Sequence, residues 1–361
     1  MKRIIAGTAA ALLAAVLFLP QTARAVSARS AVVQDAVSGR ILYEKDADRQ
    51  SLIASTTKIM TALIVCQQCN VLDRMRIPAQ AVGIEGSSMY LREGEVLTVQ
   101  ELLYGLMLSS GNDAAVALAI YCGGTVEGFV QLMNDKACLL GLKDTHFVNP
   151  NGLDAPGHFS TARDLAVLAA YAMEDPIFRK TVSTKTVTVG ERHLRNHNKL
   201  LWLLEGADGV KTGYTKAAGR ILVSSATRDD RRIVAVTIDA PDDWTDHRKL
   251  LEEGFSRYSV RQVLRAGDYV GTLDVAGGGD AQVTVYAAED WSYALAPEEQ
   301  VRLVLPGPGF VFAPVAEGGD AGVVYATVQG KAVGKIPVRY GKTVERAPEE
   351  SKNFFRKLMG G

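Results

Sequence analysis

The chain is poor in the residues that announce most enzyme chemistries. Its 361 residues include five histidines and four cysteines, and 40 lysines and arginines balance 40 aspartates and glutamates. Zero net charge offers no pull toward nucleic acid or another polyanion. Cys66 and Cys69 have C-x-x-C spacing, but no second close cysteine pair and no neighbouring histidine complete a zinc site. The βαβ setting of a redox motif is also missing. With Cys122 and Cys138 they read as buried thiols or one structural disulfide. No metal and no other cofactor is implied. There is no G-x-S-x-G elbow, which argues against a Ser-His-Asp hydrolase of the α/β type. His146, His158, His193, His197 and His247 all have structural readings, His193 and His197 in a polar connecting stretch.

The N-terminus has an excess of one thing. Lys2 and Arg3 precede an apolar run from Ile4 to Leu19, Pro20 breaks it, and Ala23-Arg24-Ala25 gives a small-x-small site. This is the pattern of a secretory signal peptide cleaved after Ala25. An uncleaved membrane anchor is the alternative, but the run is short of the roughly 20 apolar residues a span needs. Cleavage removes three basic residues and no acids, leaving 37 basic against 40 acidic residues and a net charge of −3. The mature protein is then exported, and its cysteines meet conditions that permit a disulfide.

Length suggests two domains. Residues 31–45 read as two strands around Ser38-Gly39. Thr56 to Val65 reads as an apolar helix with Ser55 at its N-terminal end. Leu97–Leu108, Asn112–Tyr121 and Phe129–Leu140 are further helical stretches, and Thr161 opens another, with Asp164 in the place of the usual Glu or Gln of a capping box. Beyond Val182 the texture becomes β, with strands at Thr186–Val189, Ile221–Ala226 and Arg232–Ile238 and a closing helix from Trp244 to Tyr258. The expected fold class is α+β, helices flanking an antiparallel sheet. After Tyr258 come short alternating runs, such as Gln282–Tyr286, Val301–Leu305 and Val323–Val328, with turns at 277–280, 318–320 and Gln329-Gly330. They suggest a small β-sandwich-like domain. The expected boundaries are 1–25 for the signal peptide, 26–258 for a catalytic domain, 259–345 for the β domain and 346–361 for a tail. In that tail Phe354, Phe355, Leu358 and Met359 share one helical face flanked by Lys352, Arg356 and Lys357. It reads either as an interfacial amphipathic helix or as a chain end packed on the last domain.

Three motifs carry the chemistry. Ser55-Thr56-Thr57-Lys58 puts a hydroxyl and an amine one helical turn apart, where they can meet, and helix N-terminal amides favour negative charge developing there. Lys58 can serve as a base only if its pKa falls from about 10.4, which burial and a nearby cation such as Lys211 would achieve. Ser110-Gly111-Asn112 is a tight turn between helices that can carry a hydroxyl and an amide into a cleft. Lys211-Thr212-Gly213 fits a strand beside a site. Lys211 and Thr212 could hold a carboxylate, and Gly213 permits close backbone approach. Each motif alone is weak, but the three in this order match serine acyl-transfer enzymes of the penicillin-interacting class.

With S-G-N as its middle element, the chain resembles the D-alanyl-D-alanine carboxypeptidases, the low-molecular-mass penicillin-binding proteins. Ala54–Ala62, Asn149–Leu153, His158–Ala162 and Asp208–Thr215 carry the resemblance, as does the order of leader, catalytic domain, β domain and tail. It implies a β-lactamase/transpeptidase-like fold and removal of the terminal D-alanine from peptidoglycan stem pentapeptides outside the cytoplasm. It further implies Ser55 as nucleophile, Lys58 as base, Ser110 and Asn112 completing the proton network, and Lys211 and Thr212 binding the terminal carboxylate. The oxyanion hole would come from the N–H groups of Ser55 and Tyr214, at the Gly213 strand, and β-lactams would be covalent inhibitors. One departure stands out. The arginine that assists carboxylate binding in some members has no counterpart in Asp239–Thr245, and Arg248 reads as a helix-surface residue. The rivals are a serine β-lactamase, for which no E-x-x-L-N segment occurs between Asn112 and Lys211, and a non-catalytic cell-wall binding protein.

Overall fold

The computed structural model describes residues 26–307 and 309–348, so the leader and nearly all of the tail lie outside the described residues. The first two strands, β1 (Ser30–Asp35) and β2 (Ile41–Lys45), form the expected hairpin. A short 3-10 turn, Ala54–Thr57, leads into α1 (Lys58–Gln68). A small ribbon of β3 (Arg74–Arg76) and β4 (Val96–Thr98) brackets a long loop. There follow α2 (Val99–Leu108), α3 (Asn112–Gly123) and α4 (Val126–Leu139), then α5 (Ala162–Ala172) and α6 (Pro176–Ser183). A second ribbon pairs β5 (Thr186–Val189) with β6 (Arg192–Arg195), and the one-turn α7 (Leu200–Leu203) precedes β7 (Ala207–Thr215), β8 (Gly219–Arg228), β9 (Arg231–Ile238) and α8 (Asp243–Arg257).

The main sheet has the order β2-β1-β9-β8-β7 and is antiparallel throughout. Its inner strands are apolar without a break because both faces are covered. Ile221, Val223, Val234 and Val236 join the large core under the α1–α6 helices, whereas Leu222, Ala226, Ile233 and Ala235 join the cluster under α8. Buried His247 of α8 bridges that second face, its ring nitrogens 2.6 Å from Ser224 Oγ and 2.8 Å from Thr237 Oγ1. Burial lowers its pKa to about 3, so it is a neutral structural histidine. β7 is left at the sheet edge.

The helix starts have physical causes. Thr98 and Glu101 make a reciprocal capping box on α2. Thr161 caps α5 by accepting from Asp164 N, but the Asp164 carboxylate turns instead to Asp144 N and Thr145 Oγ1, so only half the box forms. The sequence expectation for Ser55 needs correcting in one detail: it lies inside the 3-10 turn rather than at the N-cap of α1.

The C-terminal part is all β. β10 (Ser259–Leu264) pairs with β13 (Trp291–Leu295). The other sheet comprises β11 (Tyr269–Ala276), β12 (Gln282–Ala287), β14 (Val301–Val304), β15 (Phe310–Phe312), β16 (Asp320–Val328) and β17 (Lys331–Tyr340), in the order β14-β16-β17-β12-β11-β15. Gln329 and Gly330, at φ 50° and 77°, make the two-residue turn between β16 and β17. The two parts meet at Arg40, whose guanidinium forks onto Glu299 at 2.6 and 2.7 Å and lies over the rings of Tyr258 and Tyr293.

Candidate active site

The 3-10 turn, the α2–α3 junction and β7 converge on a cleft of about 910 Å³, lined by Ser55, Ser110, Thr212, Gly213, Tyr214 and Arg220 among others. Ser55 reaches it because the turn is tightly held. Ala54 has φ 44°, Thr56 N donates to Ile53 O, and the Gly152 backbone packs on Ala54. A Cβ at Gly152, where φ is 86°, would sit 1.9 Å from Ala54 O, so only glycine fits. This explains the Asn149–Leu153 segment, whose asparagines fold it locally: Asn149 Oδ1 accepts from Gly152 N at 2.7 Å.

Lys58 lies behind Ser55 and is fully buried. Its Nζ is 3.0 Å from Ser55 Oγ, 2.6 Å from Asn112 Oδ1 and 2.5 Å from Asn151 O. The last two atoms can only accept. A neutral amine keeps two N–H bonds among these partners, and giving both to the carbonyl oxygens leaves its lone pair for Ser55. Burial first, and the Lys211 charge second, hold Lys58 well below the usual lysine range, while Asp113 opposes them weakly.

Asn112 is fixed from the other side, its Nδ2 donating to Glu85 O at 2.6 Å and its backbone N–H to Ser87 O. Neighbouring Asp113, buried, accepts from Ser88 Oγ, Met89 N and Leu91 N and so straps the 85–91 loop over the junction. Sequence reading missed this anchor, although the polar pair Asn112-Asp113 opening an apolar helix was a signal for it. Ser110, at φ 60°, lines the cleft. Among the described residues no hydrogen bond joins its hydroxyl to Lys58 or Lys211.

Lys211 is almost wholly buried in β7, and its Nζ donates to Thr212 O at 2.9 Å. Burial pushes its pKa down to about 7. Gly213 presents bare backbone to the turn, since a Cβ there would meet Ala54 Cβ and Ile53 O at 3.3 Å. Ser55, Thr212, Gly213 and Tyr214 thus share one wall, with Lys58, Asn112 and Lys211 behind it.

The histidines divide. His158 accepts from Val148 N through Nδ1 and so donates from Nε2 to Thr57 Oγ1, and burial lowers its pKa to about 4. His193 and His197 line the cleft, which corrects their reading as part of a plain connection. Arg220, paired in register with Tyr214, also lines the cleft, and its Nη2 forks onto buried Asp243 at 2.8 and 2.9 Å. No motif pointed to Arg220; only strand pairing brings it there. Arg248 is exposed on α8, as expected. The cysteines are unpaired; only Cys66 is buried, while Cys69 and Cys122 are half-buried and Cys138 is exposed, so the buried-thiol reading fits one of the four.

Comparison with known proteins accords with this geometry. Residues 18–242 match the family model described as D-alanyl-D-alanine carboxypeptidase, and residues 258–346 match the penicillin-binding protein 5 C-terminal domain. The chain is 31% identical over 349 residues to D-alanyl-D-alanine carboxypeptidase DacF of Bacillus subtilis, covering 92% of this chain and 89% of that one. It is 35% identical over 345 residues to DacC of Escherichia coli, covering 90% and 86%. Among solved structures, penicillin binding protein 5 from Haemophilus influenzae superposes with a TM-score of 0.80 at 31% identity, covering 91% of this chain and 100% of that one.

Proposed function

This chain belongs to the D-alanyl-D-alanine carboxypeptidase family, and from that premise we propose that Ser55 takes the acyl group of a D-alanyl-D-alanine peptide and releases D-alanine. The observation that carries this reading is the position of buried Lys58, its Nζ shared between Ser55 Oγ and two obligate acceptors. The neutral amine removes the Ser55 proton as Oγ attacks the penultimate D-alanine carbonyl. The N–H groups of Ser55 and Tyr214 stabilise the oxyanion. Ser110 passes a proton to the departing amine, with Asn112 holding Lys58 in place. The substrate lies along the Gly213 backbone with its terminal carboxylate at Lys211 and Thr212. Arg220 adds a guanidinium to that wall in the place of the arginine absent from Asp239–Thr245. Water then attacks the acyl-enzyme, Lys58 again serving as base.

The natural substrate is the peptidoglycan stem pentapeptide, and β-lactams acylate the same serine. The family's cell-wall role places the enzyme outside the cytoplasm. Cleavage after Ala25 and contact of the amphipathic tail with the membrane face complete that picture, and both fall outside the described residues. Two measurements test the proposal. Benzylpenicillin should add covalently, with peptide mapping placing it on Ser55, and a diacetyl-Lys-D-Ala-D-Ala peptide should release D-alanine. An adduct elsewhere, or rapid penicillin turnover with no D-alanine release, would overturn it.

A further inference from the structure

Cys69 closes α1, and Cys122 is the next-to-last residue of α3. The helices begin at Lys58 and Asn112, whose side chains are bonded to each other at 2.6 Å. They come together again at their other ends. There the Cys69 thiol hydrogen-bonds to Cys122, and Cys122 Sγ lies 3.8 Å from Oε1 of Gln68, the neighbour of Cys69. Both cysteines are half-buried and reachable from solvent. Cys66 instead packs in the main core, and Cys138 stands exposed on α4. Among the described residues no cluster of cysteine, histidine and acidic side chains suits a metal ion, so metal binding does not explain the pair.

We infer that Cys69 and Cys122 are a disulfide-forming pair that cross-links the far ends of the helices carrying Lys58 and Asn112. The extracytoplasmic setting supplies the conditions, and the oxidant is a disulfide, either of a small thiol or of a thiol oxidoreductase. Cys122, which accepts the Cys69 hydrogen bond, attacks as thiolate one sulfur of that disulfide and expels a thiol. Cys69 then attacks the Cys122 sulfur of the mixed disulfide and expels the second. Two thiols of the protein are oxidised, one external disulfide is reduced, and the two protons leave with the departing thiols. The bond joins residues 53 positions apart in sequence and so restricts the unfolded chain strongly. It lies at the helix ends away from the cleft, so it acts on the durability of the Lys58–Asn112 contact rather than on the chemistry.

The full chain, exported by a bacterial host and purified without reductant, tests this. Expected are an intact mass two hydrogens below that of the reduced protein, a peptide map linking Cys69 to Cys122, and a thermal midpoint that falls by roughly 5–10 °C on reduction. Cys69→Ser and Cys122→Ser should each lose the redox-dependent shift yet still be acylated by benzylpenicillin, and Cys138→Ser should keep it. A Cys66–Cys69 linkage, or four thiols still free to alkylation after equilibration with glutathione disulfide, would overturn the inference. None of these outcomes depends on Ser55, so failure here leaves the catalytic proposal untouched.

Discussion

Between residues 26 and 257 the protein buries lysine, aspartate, histidine and asparagine. Between 259 and 348 the buried set is almost wholly valine, alanine, leucine and isoleucine, with Glu299 the only buried charged or polar side chain among the described residues. The difference extends to the backbone. In the first part, non-glycine residues with positive φ stand at the cleft itself, Ala54 and Ser110. In the second such a residue, Gln329, sits at a hairpin tip, where it serves only the turn. Buried charge and left-handed backbone are each costly. One half of the molecule carries those costs where chemistry is done, and the other half is built to ordinary packing rules.

Substitutions that remove the unusual groups should therefore be severe for activity in the first part and mild in the second. Lys58→Ala should lower benzylpenicillin acylation on the order of 10³-fold or more, measured as the second-order rate of adduct formation. A smaller pH effect follows from the two lysines. Rising pH deprotonates Lys58, which promotes attack, and deprotonates Lys211, which weakens carboxylate binding. kcat/KM should thus be bell-shaped, with its alkaline limb near 7. Lys211→Arg, which stays charged, should move that limb upward even if the rate falls; an unmoved limb would assign it to another group.

Lys211 also sets a stability slope of definite sign. Its folded pKa of about 7 lies below the unfolded value of about 10.4. Its contribution is therefore full above that unfolded value and is lost as pH falls toward 7. Lys211→Met should remove this slope and raise the thermal midpoint near pH 6 by roughly 2–6 °C while impairing catalysis. Arg220→Ala should raise KM for the D-Ala-D-Ala peptide about tenfold and change kcat little, since one charged contact to the carboxylate is lost. At the joint between the two parts, Glu299→Ala strands Arg40, with an expected cost of about 2–3 kcal/mol and acylation unchanged; two separate calorimetric transitions would be its signature. The mildest case is Gly330→Ala, about 1 kcal/mol from the hairpin alone, visible in denaturant midpoints and silent in activity.

The sequence made legible whatever depends on local pattern. Alternation in 221–226 and 232–238, helical periodicity after Lys58 and the Gln329-Gly330 turn all reflect short-range rules, and the elements lie within a few residues of expectation. Ser55 with Lys58 could be read for the same reason, being one turn apart. What stayed hidden depends on distant chain segments meeting. Asn151 reaches Lys58 from 93 positions away, Asp113 ties down a loop more than twenty residues earlier, and Arg220 enters the cleft only through its pairing with β7. His193 and His197 looked inert because nothing nearby in sequence shows that their connection borders a cavity.

β7 remains the outermost strand of its sheet. Near its start Asn198 Nδ2 takes the Gly209 carbonyl at 2.6 Å, and farther along Gly213 faces the turn before Ser55. The intervening edge is kept unblocked for an incoming peptide, and an unpaired edge recruits any extended chain that fits. The same opening is thus a solubility hazard during refolding at high concentration. It is also a template for drug design: strand-like peptidomimetics could compete for this edge without a β-lactam ring, out of reach of enzymes that destroy that ring.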